Sequence, residues 1–293
     1  MIQHDIRIAL AALPISLDPK YSVATKQLYA PLLASAGEGV TASLDIAYGG
    51  HQRHKLDVYH VAGTRPSAIV IYVPGGGYTG GDKRADNLTF GNIGSYFARR
   101  GMLGITMNYR LAPEVQWPAG AQDVAAVVGW AKANAVRFGA AADTPVVVFG
   151  HSAGASHCAS FLFDPEIRGD LMVAGGVLIS GGSYTVTPDD IETRANVRAY
   201  FGSDINSLER RSATSHVAGT KVPVMLACAE LDPGFLVTPT LELAMALTRR
   251  DGRCPVLMRL EGHNHFSPPC SLGTTDDQLG SSIIGFVKAL PYA

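Results

Sequence analysis

The sequence has no apolar run near the roughly 20 residues that a membrane-spanning helix needs, no internal repeat and no low-complexity linker. Charge is sparse and balanced. Only 17% of the 293 residues are charged, and 24 Lys and Arg against 25 Asp and Glu leave a net charge of −1. A chain so near neutrality has no long-range field to draw in nucleic acid or an anionic membrane, so neither is expected as a partner. Cysteine is scarce too. Cys158, Cys228, Cys254 and Cys270 are scattered, with no CxxC pair. In a chain of this length that fits reduced core residues better than a disulfide framework, and the expected compartment is the cytoplasm. The apolar stretch at 6–14 follows Asp5 and is interrupted by Arg7. It reads as mature protein and not as a signal peptide.

What is present is a large supply of core residues, 47% hydrophobic, enough for one large α/β domain. Residues 44–48 and 56–59 alternate apolar and polar, which predicts half-buried antiparallel edge strands. Residues 68–73, 104–107 and 146–149 are short, nearly continuous apolar runs, as are 177–179, 222–228 and 256–260. Such runs suit parallel strands covered on both faces. Helical spacing appears between them. It places Val124, Val127, Val128 and Ala131 on one face of 121–138, and Leu241, Ala244, Met245 and Thr248 on one face of 240–249; 278–289 is also helical. The expected assembly is an α/β fold: a mostly parallel central sheet with helices on both faces and functional residues on loops at the strands' C-terminal ends. Residues 1–40 stand outside the alternation, with a helix expected at 25–36, as a cap over the functional end or a strut outside it. Residues 41–293 form the main domain, and 181–220 hold a variable cap element.

The sharpest local signal is the strand at 146–149 running into Gly150-His151-Ser152-Ala153-Gly154, followed by a small-residue helix. A serine on so tight a strand-to-helix turn projects its hydroxyl away from the sheet, and the flanking glycines leave room for neighbouring backbone. The helix N-terminus behind it favours developing negative charge. The second signal is Pro74-Gly75-Gly76-Gly77-Tyr78, directly after another strand. Three consecutive glycines expose N–H groups that can hold an oxyanion. Phosphate binding would need the Walker GK[ST], which is absent. Gly75, Gly77 and Gly80 do satisfy GxGxxG spacing, but the serine turn downstream argues against a dinucleotide.

These segments resemble the α/β-hydrolases, and among them the hormone-sensitive-lipase-like carboxylesterases. The likeness lies in PGGGY at 74–78, YRLAPE at 109–114 with Pro118, Ala119 and Asp123, GHSAG at 150–154, and HKLDVY at 54–59. It covers roughly residues 45–290. Pro74 stands where the family usually has His. The resemblance implies a serine esterase whose oxyanion hole is built from the N–H groups of Gly76, Gly77 and Ala153. It reads YRLAPE as scaffold, in which a half-buried Arg110 needs Glu114 or Asp123 as its partner.

Acyl transfer needs a base and a carboxylate to orient it, and the chain order in this fold is Ser, acid, His. Asp232 follows the strand at 222–228 and is preferred over Glu230, which is expected to pack or cap beside the strand. Only His263 and His265 come later. Two residues apart on an extended loop, they point to opposite sides. Related enzymes place the base before Phe, which selects His265. Bland roles are expected elsewhere: His51, His54 and His60 lack a ligand-spaced carboxylate or cysteine and so are no metal site, His151 sets the turn, His157 and Cys158 are core, and His216 carries no signal. Tyr78, Tyr184 and Phe235 are the expected substrate-binding residues, with Leu88, Phe90 and Leu236 as further lining.

The expected activity is cleavage of short-chain or aromatic carboxylic esters through an acyl-enzyme, with no cofactor or metal, a small-molecule ester or amide as substrate and possible homodimers. The segments around Asp232 and His265 are also similar to those of kynurenine-formamidase-like relatives, which keeps an aryl-formamidase or amidase open. A non-catalytic receptor on the same fold is a third possibility, disfavoured because all three triad residues are available.

Overall fold

The computed structural model describes residues 2–86 and 89–291. Leu88 lies outside them. The chain opens with two helices, α1 (Ile2–Ala11) and α2 (Pro19–Leu33). The second begins earlier than the expected 25–36, because the Asp18 carboxylate accepts the Lys20 N–H and Pro19 takes a first-turn position. The sheet then starts with β1 (Thr41–Ala47), β2 (Lys55–His60) and β3 (Ile69–Val73), followed by α3 (Gly91–Ala98), β4 (Leu103–Met107), α4 (Ala119–Asn134) and β5 (Val146–His151). Next come α5 (Ala153–Phe163), the single turn α6 (Pro165–Arg168) and β6 (Gly175–Ile179). Short helices α7 (Pro188–Thr193), α8 (Ala195–Phe201) and α9 (Leu208–Arg211) fill the segment expected to vary. The chain finishes with β7 (Val224–Leu231), α10 (Gly234–Asp251), β8 (Val256–Asn264), α11 (Ser267–Ser271) and α12 (Gln278–Ala289).

The eight strands form one sheet in the order β1-β2-β4-β3-β5-β6-β7-β8. β1, β2 and β4 pair antiparallel, and every other neighbour is parallel. Two apolar layers cover it. Leu56, Ile71, Ile105 and Val148 face α4 and α5, while Val70, Phe149, Val177 and Met225 face α3 and α12.

Three expectations fail on packing. β8 is not covered on both faces: it is an edge strand, with Val256 and Leu257 exposed. β2 is not a half-buried edge strand: it lies between β1 and β4, and its four central residues are buried. Its polar residue, Asp57, turns into an ion-pair cluster with Lys83 (2.9 Å) and Arg84 (3.3 Å), and the Lys83 ammonium also reaches Asp45 (2.6 Å). An alternating polar letter here marks a buried charge pair and not solvent. On α10 the inward face is Leu236, Thr240, Leu243, Ala244 and Leu247. Leu241 (48% exposed) and Met245 (52%) point outward, because the helix starts six residues before the expected stretch and turns its face against β7.

Candidate active site

At the C-terminal end of β5 the chain turns sharply into α5 at Ser152, which adopts φ 56° and ψ −124°. Left-handed backbone at a non-glycine residue is strained. The turn is affordable only because its flanks lack side chains. A Cβ on Gly150 would strike the Gly154 carbonyl, and one on Gly154 would strike the carbonyls of Val73 and Pro74. Ser152 is tied back to the sheet by its N–H, which donates to the Ile179 carbonyl (2.8 Å).

β7 and β8 bring the other two residues to this turn. His265 Nδ1 lies 2.8 Å from Asp232 Oδ1, and His265 Nε2 lies 3.0 Å from Ser152 Oγ. Burial alone would push the Asp232 carboxyl up, but hydrogen bonds from His265, Ser180 and the Ala229 N–H hold it below the usual carboxylate range. An ionised carboxylate only accepts, so Nδ1 carries the proton and Nε2 offers its lone pair to the Ser152 hydroxyl. Glu230 faces away: it accepts from Arg259 (2.6 Å) and from the Gly262 N–H (2.7 Å). His263 also points elsewhere, with Nδ1 2.8 Å from Ser267 Oγ and Nε2 3.2 Å from Asp276 Oδ2. All three residues of this second Ser–His–Asp chain are buried, and none of them lines the cavity above Ser152.

The glycine loop after β3 lies directly over the serine. Gly76 (φ +136°) and Gly77 (φ +58°) hold conformations that side chains rarely take, and a Cβ on Gly76 would collide with the Gly80 carbonyl. No hydrogen bond among the described residues uses the N–H of Gly76 or Gly77. Ala153 opens α5, where an N–H has no intrahelical acceptor. The loop's far end is tied down by Lys83, whose N–H donates to Asn108 Oδ1 (2.6 Å), and by Arg53, which donates to the Gly81 carbonyl (2.7 Å).

A cavity of about 520 Å³ opens above Ser152 and His265, with Gly75–Gly77 and His151 at its base. Leu17, Pro19, Ser22 and Lys26 of the N-terminal segment also line it, while α1 of the same segment packs against β8. Asn196 of α8 enters from the segment at 181–220 and donates to the Gly77 carbonyl (3.1 Å). Phe90 and Phe266 supply aromatic surface.

The three residues expected to bind substrate lie elsewhere. Tyr78 leaves the glycine loop at φ +69° and turns inward, stacking on Tyr200 at 4.9 Å. Tyr184 is wholly buried in the main core. Phe235 is 42% exposed and packs under the Arg194 guanidinium outside the cavity. Leu236 is buried against Gly182. Flanking a motif loop did not fix the direction of these side chains.

Other expected roles resolve as follows. Arg110 grips Asp123 (2.7 and 2.9 Å), while Glu114 goes to His51 (3.0 Å). His54 also meets Asp123 (3.2 Å), so both histidines have carboxylate neighbours that spacing could not reveal. No cluster of three or more His, Cys, Asp or Glu that could hold a metal occurs among the described residues. His151 is buried, and its Nε2–H donates to the His265 carbonyl (2.8 Å). Burial and the neighbouring His265 push its pKa down to about 3, so the ring is neutral. His157 sits in a cage of Tyr78, Tyr109 and Tyr200, also pushed down to about 3 by burial. Sequence reasoning missed Ser180, whose hydroxyl donates to Asp232 Oδ2 (2.6 Å). A serine at the end of β6, beside the strand carrying the acid, was the available signal.

The chain superposes on an esterase B from Lactobacillus rhamnosis with a TM-score of 0.72, at 17% identity, covering 98% of this chain and 96% of that one. The fold is that of an α/β-hydrolase. Within it, residues 56–163 match the BD-FAE family model. They carry β2 through α5 of the α/β-hydrolase sheet, including the glycine loop and Ser152. Among curated proteins the chain is similar to the esterase LipC of Mycobacterium tuberculosis, 32% identical over 111 residues, which are 37% of this chain and 27% of that protein. It is also similar to the versiconal hemiacetal acetate esterase of Dothistroma septosporum, 31% identical over 220 residues, 74% of this chain and 64% of that protein. The matches thus span less than two thirds of either relative's own length.

Proposed function

We propose that the protein is a serine hydrolase that cleaves carboxylic esters of short-chain or aromatic type through an acyl-enzyme. The observation that carries this is the unbroken Asp232–His265–Ser152 chain of hydrogen bonds, 2.8 and 3.0 Å, ending at the floor of a cavity. His265 takes the Ser152 proton as Oγ attacks the acyl carbon, and Asp232 stabilises the imidazolium that forms. The N–H groups of Gly76, Gly77 and Ala153 hold the oxyanion. His265 Nε2–H then protonates the departing alcohol, and a water deprotonated by the same nitrogen cleaves the acyl-enzyme. Similarity to two named esterases supports the reaction class. A cavity of about 520 Å³ with two phenylalanines supports a compact acyl or aryl group over a long triglyceride.

No helix among the described residues is long and apolar enough to cross a membrane. The free state of Cys158, Cys228, Cys254 and Cys270 is what supports a cytoplasmic location.

The test is a hydrolysis panel of p-nitrophenyl esters of rising acyl length, aryl esters and formamides, run with the wild type and Ser152→Ala. Turnover of the shorter esters should vanish in Ser152→Ala, with the fold intact by circular dichroism. Equal rates in both proteins would remove Ser152 from the mechanism.

A further inference from the structure

His265 is held from several directions, and one of them comes from the N-terminal helix. Its imidazole is fixed by Asp232 and its carbonyl by His151. The residue before it, Asn264, is buried, and its amide is committed at both ends. Oδ1 accepts the N–H groups of Phe266 (3.0 Å) and Ser267 (3.1 Å), which turns the chain into α11 immediately after His265. Nδ2 donates to Oγ1 of Thr25 at 2.9 Å, across 239 residues of sequence. Thr25 is wholly buried on α2. Ser22 and Lys26 of the same helix line the cavity. One turn beyond Thr25, Tyr29 donates to Asp276 beside His263 (3.4 Å). The helix therefore presents one side to the substrate space and another to the loop that carries the base.

We propose that Thr25 is a positioning residue for His265, acting through Asn264. This rests on the reading of His265 as the base. Replacing the Thr25 hydroxyl with a methyl strands a buried amide donor, which is unfavourable in a dry interior. Without that bond one end of the Asn264 amide is untethered, and any shift of the amide loosens its hold on the N–H groups of Phe266 and Ser267. The segment holding the imidazole then loses its anchor. A misplacement on the order of 1 Å at a reacting group can lower turnover by about 100-fold.

The experiment measures kcat and KM on a short p-nitrophenyl ester, with thermal unfolding alongside. The proteins are the wild type, Thr25→Val, Thr25→Ala, Thr25→Ser, Asn264→Ala and the double variant Thr25→Val/Asn264→Ala. Thr25→Val and Thr25→Ala should each lower kcat by about 10-fold or more with KM little changed, whereas Thr25→Ser, which keeps the oxygen, should stay within about 2-fold of the wild type. The double variant should be no slower than Asn264→Ala alone, since both substitutions break the same link. A loss in Thr25→Ala but not in the isosteric Thr25→Val would assign the effect to packing and overturn the proposal. So would additive losses in the double variant, or a rise in KM with kcat unchanged. A wild type that neither turns over any ester nor reacts with a fluorophosphonate overturns the hydrolase reading itself, a result distinct from a working enzyme indifferent to position 25.

Discussion

Acid should destabilise this protein well before its carboxylates begin to titrate, and two buried imidazoles set the size of the effect. His151 and His157 both have pKa values pushed down to about 3 by burial, with His265 adding to the shift at His151. In the unfolded chain each takes up a proton near the ordinary value of about 6.5. Between these values the unfolded state binds more protons than the native one. The stability is therefore fully present above pH ~6.5 and is lost as pH falls toward 3. Each group contributes up to about 1.4 kcal/mol per pH unit once the unfolded imidazole is protonated, so the pair removes about 3 kcal/mol between pH 6.5 and 5. That is a large part of the roughly 5–15 kcal/mol typical of a folded domain. Asp232 lies outside this window. Its lowered pKa gives stability above the ordinary carboxylate range that is lost only as pH falls through and below it. The assay is urea unfolding at pH 7 and pH 5, compared between wild type and His157→Gln. The difference between the two pH values cancels any change in baseline stability, and the variant should show about half of the wild-type drop. An identical drop in both would refute the assignment of a protonation burden to His157.

Two further outcomes follow from backbone geometry. Ser152→Gly should abolish ester turnover yet raise stability by about 1 kcal/mol in urea unfolding, because relief of a left-handed serine, worth roughly 1–3 kcal/mol, exceeds the added flexibility of the unfolded chain. Gly76→Ala should eliminate activity, since its Cβ meets the Gly80 carbonyl, whereas Gly77→Ala meets only the movable Asn196 side chain and should retain a measurable fraction. Initial-rate measurements on one ester distinguish them, and the reverse ranking would contradict the loop geometry.

The sheet was legible because its parallel strands are short apolar runs closed by Gly or Pro, and such runs have few other uses. The serine turn and the glycine loop were legible because their backbone demands small residues at fixed spacing. Asp232 and His265 could be chosen from strand-end position and order along the chain, and both lie at hydrogen-bond distance in the Ser152 chain. The cavity wall was not legible. Whether Tyr78 points into the cavity or the core depends on a single φ at the end of the glycine loop, and Tyr200, which receives it, comes from a segment 122 positions further along the sequence. The carboxylate neighbours of His51 and His54, and the Ser180 contact to Asp232, depend likewise on pairings between remote strands and loops.

The N-terminal helix α2 borders the substrate space through Ser22 and Lys26 and reaches the base loop through Thr25. On the proposal for Thr25, this one stretch of chain bears on both selectivity and speed, through different positions. Exchanging it for a relative's segment, or trimming it to widen the entrance, would alter which molecules fit and how fast they react in one stroke. An engineer seeking to change the first alone should vary the cavity-facing positions and leave the threonine between them untouched.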